Sequence, residues 1–213
     1  MAVITISHQF GCGGTTLGKK IAEKLGYVFA DSTIVTKIAQ AANVSETWVE
    51  HVEDEAGGKF LWLISQMVSK GLVDKILSDE KGYIDETIYL DYLVVLIAQF
   101  AEEGDVVIMG RGGQYILQDH PDAVHILLVD SFENRVQNTM KVHKLSEKKA
   151  AQMVRGEDKR RAALYKKIGK SDYESVHIYD LVANLGRVDT DTARDMIVEL
   201  VMQKEKGRPG PGQ

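Results

Sequence analysis

Cysteine is nearly absent from the chain, since Cys12 is the only one among 213 residues. A single thiol excludes an internal disulfide and is typical of the reducing cytoplasm. Long apolar runs are missing as well: the longest, residues 92–98 and 60–64, fall far short of the roughly 20 residues of a membrane-spanning helix. The first residues lack the basic and apolar regions of a secretory signal. We therefore expect a cytoplasmic protein with no membrane partner.

Metal-binding clusters and internal repeats are lacking too. The six histidines are scattered, and no set of His, Cys, Asp and Glu residues has the spacing of a zinc site. Hydrophobic residues make up 44% of the chain, which is enough to bury a sizeable core. We expect a single domain over residues 1–206 and a flexible tail at 207–213, where glycine and proline dominate.

A glycine-rich turn near the amino terminus is the most informative feature present. Residues 3–7 are an apolar strand pattern, residues 11–14 read Gly-Cys-Gly-Gly, and an amphipathic helix pattern follows. Glycines let backbone N–H groups approach an anion, and the helix directs the positive end of its dipole at the same point. The sequence therefore predicts a phosphate-binding turn.

This turn lacks the lysine of a standard P-loop. The consensus is G-x-x-x-x-G-K-[ST], and if Thr15 and Thr16 follow the lysine position, that position holds Gly14. Cys12 lies inside the turn, either as a small residue that the turn requires or as a redox group with a depressed pKa.

Positive charge is concentrated in residues 155–170. This segment has seven basic and two acidic side chains, a local charge of +5 in a chain whose net charge is −5. Such an acidic protein is a poor candidate for general nucleic-acid binding, whereas one basic helix suits a compact polyanion such as a triphosphate. One helix face is shared by Arg155, Lys159, Lys166 and Lys170, which is also the pattern of a solvated surface.

Short apolar strands alternate with helical segments along the chain. The predicted strands are residues 3–7, 27–30, 106–109, 125–129 and 181–184. Helix starts are predicted after Ser45 and Ser146, and at Asp189 or Thr190. This alternation predicts a parallel sheet in an α/β fold, which binds its ligand at the carboxyl ends of the strands.

A helical insertion is expected at about residues 45–103, where no convincing strand is found. Such an insertion covers the acceptor substrate or provides a dimer surface. Trp48 and Trp62 lie in it and are interpreted as packing residues rather than base-stacking platforms.

Four charged residues outside the glycine-rich turn are further site candidates. Arg111 follows the apolar strand 106–109 between glycines, where its guanidinium could hold a phosphate or base edge, or simply lie on the surface. Asp31 could accept hydrogen bonds from a ribose or base, or cap the next helix. Asp158 and Arg161 are three residues apart and could form a local ion pair.

Five segments together resemble the cytidylate kinase-like family over nearly the whole chain. They are residues 4–14 (ITISHQFGCGG), 22–27 (AEKLGY), 107–117 (VIMGRGGQYIL), 158–162 (DKRRA) and 179–182 (YDLV). The resemblance implies a P-loop, three-layer α/β/α fold with an insertion that binds a nucleoside monophosphate and a basic lid at about residues 150–172.

The resemblance also implies a function and a set of site residues. The expected reaction is transfer of the ATP γ-phosphate, with Mg²⁺, to CMP or a similar small-molecule nucleotide. The donor phosphates would lie among Gly11, Cys12, Gly13, Gly14, Thr15 and Thr16, with a hydroxyl of Thr15 or Thr16 on the magnesium. Arg111 would contact the acceptor phosphate, Asp31 and Asp158 would face the acceptor, and Arg155, Lys159 and Arg161 would be lid cations.

Two departures from the family pattern leave alternatives open. Authentic cytidylate kinases have lysine where Gly14 stands, whereas the like-named group has glycine there, as this chain does. The like-named group usually has arginine at His8 and a larger, often charged residue at Thr15. Removal of one preorganised hydrogen-bond donor in other enzymes costs on the order of 100- to 1000-fold in rate. A nucleotide-binding regulatory protein and a kinase of another small metabolite therefore remain alternatives. A lid cation could replace the lysine more easily than Lys19, whose head group would have to return about 7 Å along its helix.

Overall fold

The computed structural model describes residues 2–31, 86–167 and 175–206. Its strands are β1 (Val3–His8), β2 (Val28–Ala30), β3 (Val106–Met109), β4 (Ala123–Val129) and β5 (Leu181–Asn184). Its helices are α1 (Gly14–Leu25), α2 (Glu86–Glu103), α3 (Gly113–Ile116), α4 (Phe132–His143), α5 (Glu147–Lys167) and α6 (Thr190–Lys206), with a 3₁₀ turn at Val176–Ile178. The five predicted strands are all present, and two of them match at both ends.

The five strands form one parallel sheet in the order β2-β3-β1-β4-β5. The first strand lies at its centre, where Val3 is in register with Val106 of β3 and Ala123 of β4. After β1 the chain thus builds one side of the sheet with β2 and β3, and it then builds the other side with β4 and β5. In parallel α/β sheets, ligands bind beside such a reversal, at the carboxyl ends of the strands.

Helices cover both faces of the sheet, because successive side chains of a strand point to opposite sides. On one face Ile4 and Ile6 of β1 pack in a core that includes Leu17 of α1 and Ile197 of α6. On the other face Val3 belongs to a second core built with α2. This arrangement confirms the predicted three-layer α/β/α fold.

A third, smaller core lies between α4 and α5. Its buried members are Val136, Ala150 and Val154, and Phe10 of the glycine-rich turn packs against them. The basic helix is therefore held on the same side of the molecule as that turn.

Helix α6 begins as the sequence predicts. The Asp189 carboxylate accepts hydrogen bonds of 3.0 Å from the backbone N–H groups of Asp191 and Thr192, which have no partner inside the helix. Among the helices of the described ranges, none is long and apolar enough to span a membrane.

Part of the predicted organisation lies outside the described residues. Of the expected insertion at 45–103, only the final helix α2 is described, so Ser45, Trp48, Trp62 and any dimer surface there are outside these ranges. The last residues of the expected lid, 168–172, and the tail at 207–213 lie outside them too.

Candidate functional site

A cavity of about 910 Å³ opens beside the carboxyl end of β1. Its wall includes residues 11–16 of the glycine-rich turn, His8, Arg111 after β3 and Arg161 of α5. Segments that are more than 100 residues apart in the chain therefore meet around one space. The predicted phosphate turn and two of the predicted arginines share it.

The glycine-rich turn presents backbone rather than side chains to this cavity. Gly11 and Gly13 have left-handed φ angles of 84° and 87°, and Gly13 is the N-cap of α1 without any side-chain capping bond. The first N–H groups of an α-helix have no partner within the helix, and they carry the positive end of its dipole. Thr15 and Thr16 are exposed in the first turn of α1 and line the cavity. The turn therefore has backbone donors suited to an anion, and the hydroxyl groups of Thr15 and Thr16, which suit a metal ion, lie beside them.

Alanine substitutions at the two left-handed glycines should have unequal effects. A Cβ at Gly13 would meet nothing within 4 Å, whereas one at Gly11 would lie 2.7 Å from the Arg135 carbonyl oxygen and from Thr139 Oγ1. Gly13→Ala should therefore lower the free energy of unfolding by about 1 kcal/mol through backbone strain. Gly11→Ala should cost a further 1–2 kcal/mol, roughly, through overpacking. Urea denaturation of both variants tests this, and equal losses would contradict the close approach of α4 to Gly11.

Cys12 is a buried residue of this turn, with 4% of its surface exposed. Its Sγ lies 3.9 Å from the Leu128 carbonyl oxygen of β4. Burial raises the pKa of the thiol to about 11, so the reactive thiolate is scarce near neutral pH. These features favour the interpretation of Cys12 as a small packing residue.

His8 is the last residue of β1, and its imidazole borders the cavity. Its carbonyl oxygen accepts a hydrogen bond of 2.8 Å from a guanidinium N–H of Arg161. Burial and, to a smaller extent, the positive charge of Arg161 together lower the pKa of His8 to about 4, against the opposing effect of the Asp31 carboxylate. His8 is therefore neutral at pH 7 in the free protein.

Lowering the pH should destabilise the native protein more than it destabilises a His8→Gln variant. Because the pKa of His8 is lower in the folded state, its contribution is fully present above pH 6.5 and is lost as the pH falls towards 4. The native protein should lose about 2–3 kcal/mol more of its unfolding free energy over that window than the variant. His125, whose pKa is also lowered by burial, is present in both proteins and cancels. Parallel pH profiles for the two proteins would contradict this expectation.

Arg111 occupies a strained turn at the end of β3. Gly110, Arg111 and Gly112 all have left-handed φ angles, of 67°, 54° and 74°. This conformation costs a residue with a Cβ roughly 1–2 kcal/mol, and such outliers concentrate at functional sites. Arg111 lines the cavity, as a ligand-binding arginine would.

Helix α5 brings Arg161 into the site, but not every cation predicted for the lid. Arg155 lies with its guanidinium carbon 4.9 Å from the ring centroid of Phe132. Lys159 is exposed, and neither residue is among those that line the described cavity. Arg160, which the sequence did not indicate as a site residue, lines the cavity and pairs with Glu157. A catalytic role for Arg155 and Lys159 stays a prediction.

Asp158 has a partner that sequence reasoning missed. Both of its carboxylate oxygens accept hydrogen bonds from Nη1 of Arg135 in α4, at 2.9 and 3.0 Å, and the same nitrogen lies 3.3 Å from the Phe10 carbonyl oxygen. This pair connects the basic helix with the glycine-rich turn. Binding of the acceptor by Asp158 and by Asp31, which follows β2, stays a prediction.

The two lysines nearest to Gly14 along the chain are engaged elsewhere. Lys20 donates a hydrogen bond of 2.8 Å to Asp191 of α6, and Lys19 lies 5.9 Å from the ring centroid of Phe29. Neither is among the residues lining the described cavity. A replacement for the P-loop lysine must therefore be sought on other elements.

Solved structures share this fold. An uncharacterized protein from Eubacterium ventriosum ATCC 27560 is 21% identical, superposes with a TM-score of 0.68, and the match covers 98% of this chain and 100% of that one. Shikimate kinase from Acinetobacter baumannii in complex with shikimate is 15% identical, with a TM-score of 0.48 over 98% and 96% of the two chains. A gluconokinase from Sinorhizobium meliloti 1021 is 11% identical, with a TM-score of 0.49 over 96% and 94%. No curated protein matches the chain. At 21% identity the first structure supports the fold alone, and the two kinases, with TM-scores below 0.5, support neither the fold nor a function.

The family comparison is decisive, because it covers most of the chain. The model of the cytidylate kinase-like family matches residues 3–187. This range includes all five described strands, the glycine-rich turn, Arg111 and the basic helix. The chain therefore belongs to the cytidylate kinase-like family.

Proposed function

We propose that this protein transfers the γ-phosphate of ATP to a nucleoside monophosphate, with CMP as the leading acceptor on family grounds. The observation that carries the proposal is the cavity shared by the glycine-rich turn, Arg111 and Arg161. Phosphoryl transfer needs donor phosphates and an acceptor held in line, with positive charge around the transferring group. The backbone donors of the turn and two guanidinium groups from different elements can supply this positioning and this positive charge.

Each group has a distinct part in the proposed reaction. The amides of residues 11–16 hold the β-phosphate of ATP, Arg111 fixes the acceptor phosphate, and Arg161 neutralises charge that develops on the transferring group. The acceptor is a phosphate already ionised at neutral pH, so no general base is needed. The exposed hydroxyls of Thr15 and Thr16 are hard oxygen ligands of the kind that Mg²⁺ prefers. When bound with the nucleotide, Mg²⁺ neutralises phosphate charge.

Gly14 favours a second candidate function, that of a nucleotide-binding regulatory protein without turnover. In the P-loop the lysine side chain reaches the β- and γ-phosphates, and glycine cannot supply that charge. The site would then bind nucleotide and signal its presence.

A coupled assay with ATP, Mg²⁺ and each common nucleoside monophosphate separates the candidates, with calorimetry of the same ligands beside it. We expect turnover with CMP or a close relative. Binding of ATP or a monophosphate without turnover of any acceptor would reject the kinase in favour of the regulatory protein. If neither ligand binds at millimolar concentration, both candidates fail. Turnover of another small metabolite alone would identify the kinase as one of a different substrate.

We further propose one domain over residues 1–206, a location in the cytoplasm and a homodimer through the insertion at residues 45–103. Sedimentation of the full chain, with and without substitutions at Phe60 and Trp62 of the apolar run 60–64, tests the dimer. A monomer at all concentrations would reject it.

A further inference from the structure

We infer that the imidazole of His8 binds the phosphates of a polyphosphate ligand in place of the P-loop lysine, and that His8 and Gly14 are a matched exchange within the loop. The inference rests on the proposed function, because it needs a phosphorylated ligand in the cavity.

The exchange is visible when residues 8–15 are aligned with the P-loop consensus. Over residues 8–15, the pattern G-x-x-x-x-G-K-[ST] has its second glycine at Gly13 and its threonine at Thr15. The two positions that depart are its first and its seventh. His8 has a side chain where the consensus has glycine, and Gly14 has none where the consensus has lysine.

The structure shows that these two departures depend on each other. A Cβ at position 14 would lie 2.8 Å from both Cβ and Cγ of His8 and 2.9 Å from its Cδ2. Atoms at such distances overlap, and the contacts include the Cβ and the base of the ring, which cannot swing away as the end of a flexible chain can. The imidazole thus covers the point from which a lysine side chain would leave the loop. With His8 in place, only glycine fits at position 14.

The His8 ring has unused hydrogen-bonding capacity at this point. It borders the cavity, and its Nδ1 is buried without a hydrogen-bond partner among the described residues. Buried polar atoms in native proteins rarely lack partners, and each exception calls for an explanation such as strain, a catalytic role, a water or an ion. The backbone on either side is fixed by β1 and by the hydrogen bond from Arg161 to the His8 carbonyl oxygen. The backbone that carries the ring is therefore held at the site before any ligand arrives.

An imidazole can do part of the lysine's work. A neutral ring donates one N–H hydrogen bond to a phosphate oxygen, and a bound polyphosphate adds negative charge that favours the protonated ring with two donors. Arg161 and Asp31 are the charged groups that act on the ring, with opposite signs. Together with the arginines, the imidazole would then supply part of the hydrogen bonding and positive charge that the missing lysine does not provide to the anion.

Calorimetric titration with inorganic tripolyphosphate and with MgATP tests the inference. His8→Ala should weaken both affinities by about 10- to 100-fold. Gly14→Lys alone should lower the melting temperature, because its side chain meets His8. The double variant His8→Gly/Gly14→Lys reads as the full consensus over residues 8–15 and should recover stability and bind at least as tightly as the native protein. Lys148→Ala, an exposed lysine in the first turn of α5, is the control for a general loss of positive charge.

The outcomes are separable from those of the proposed function. If the native protein binds neither probe, the proposed function fails first. If it binds them and His8→Ala binds equally well, or if the double variant binds no better than His8→Gly, the inference is overturned while the function stands. Should His8→Ala fail to fold, imidazole NMR of the native protein still decides. The His8 resonances, assigned with His8→Gln, should shift on adding tripolyphosphate, and unchanged resonances would overturn the inference.

Discussion

Substitution of Arg111 by either glycine or alanine is expected to weaken binding of the monophosphate acceptor by about 30- to 100-fold, while the affinity for ATP changes less than threefold. A guanidinium that holds a phosphate by two charge-assisted hydrogen bonds contributes roughly 2–3 kcal/mol, and in the proposed reaction the ATP phosphates are held by a different element, the turn of residues 11–16. Separate KM values for ATP and acceptor, or calorimetry with each alone, measure the difference. Equal losses for both ligands would show that the role of Arg111 is misassigned.

The two substitutions should differ in stability although they remove the same guanidinium. Arg111 has a φ of 54°, which glycine adopts without strain and alanine does not. Arg111→Gly should therefore be more stable than Arg111→Ala by about 1 kcal/mol in urea denaturation. Both variants could lose acceptor affinity equally while only Arg111→Gly keeps its free energy of unfolding. The backbone strain at residue 111 would then be the cost of placing the guanidinium in the site. Equal stabilities would mean that the turn relaxes and that the strain is not held there.

Loss of either partner of the ion pair between Arg135 and Asp158 should destabilise the protein by about 3–5 kcal/mol. The Arg135 side chain is only 7% exposed, so removal of the carboxylate leaves a buried guanidinium uncompensated. Asp158 is 29% exposed, and water can solvate part of its charge when Arg135 is removed. Asp158→Leu should therefore lie at the upper end of the range and Arg135→Met at the lower end.

The double variant Arg135→Met/Asp158→Leu isolates the interaction. It removes both charges, so its loss of stability should be smaller than the sum of the two single losses by about 1–3 kcal/mol. Arg160→Met is the matched control on the same helix, because Arg160 is 79% exposed and its pair with Glu157 should contribute less than about 1 kcal/mol. Additive single losses would mean that the two residues stabilise the fold independently.

The strands could be predicted because each is short, apolar and bounded by turn residues. Residues 106–109 and 181–184 agree at both ends with β3 and β5. The predicted start of β4 at residue 125 is two residues late. Its true start is set by the pairing of Ala123 with Val3 in β1, which no local pattern contains.

The partners of the basic helix could be predicted only in part. Periodicity alone relates residues three or four apart, so it offered Arg161 as the partner of Asp158. The observed partner, Arg135, lies 23 residues earlier on another helix. The inward face of α5 did leave a signal, since its buried residues Val154 and Tyr165 lie at helical spacing with Asp158 and Arg161 between them. Of the two charged residues on that face, Arg161 lines the cavity and Asp158 pairs with Arg135, whereas Arg155 and Lys159 do not line the cavity.

The central place of β1 bears on synthesis of the chain at the ribosome. Both neighbours of this strand come more than 100 residues later, and the arginine that bonds the His8 carbonyl comes 153 residues later. The glycine-rich turn thus leaves the exit tunnel well before the segments that become its neighbours are synthesised. Until then its apolar strand has no sheet to join, and parallel pairings of such long range form slowly. A nascent chain that ends before residue 161 would carry the whole glycine-rich segment, but not the site around it.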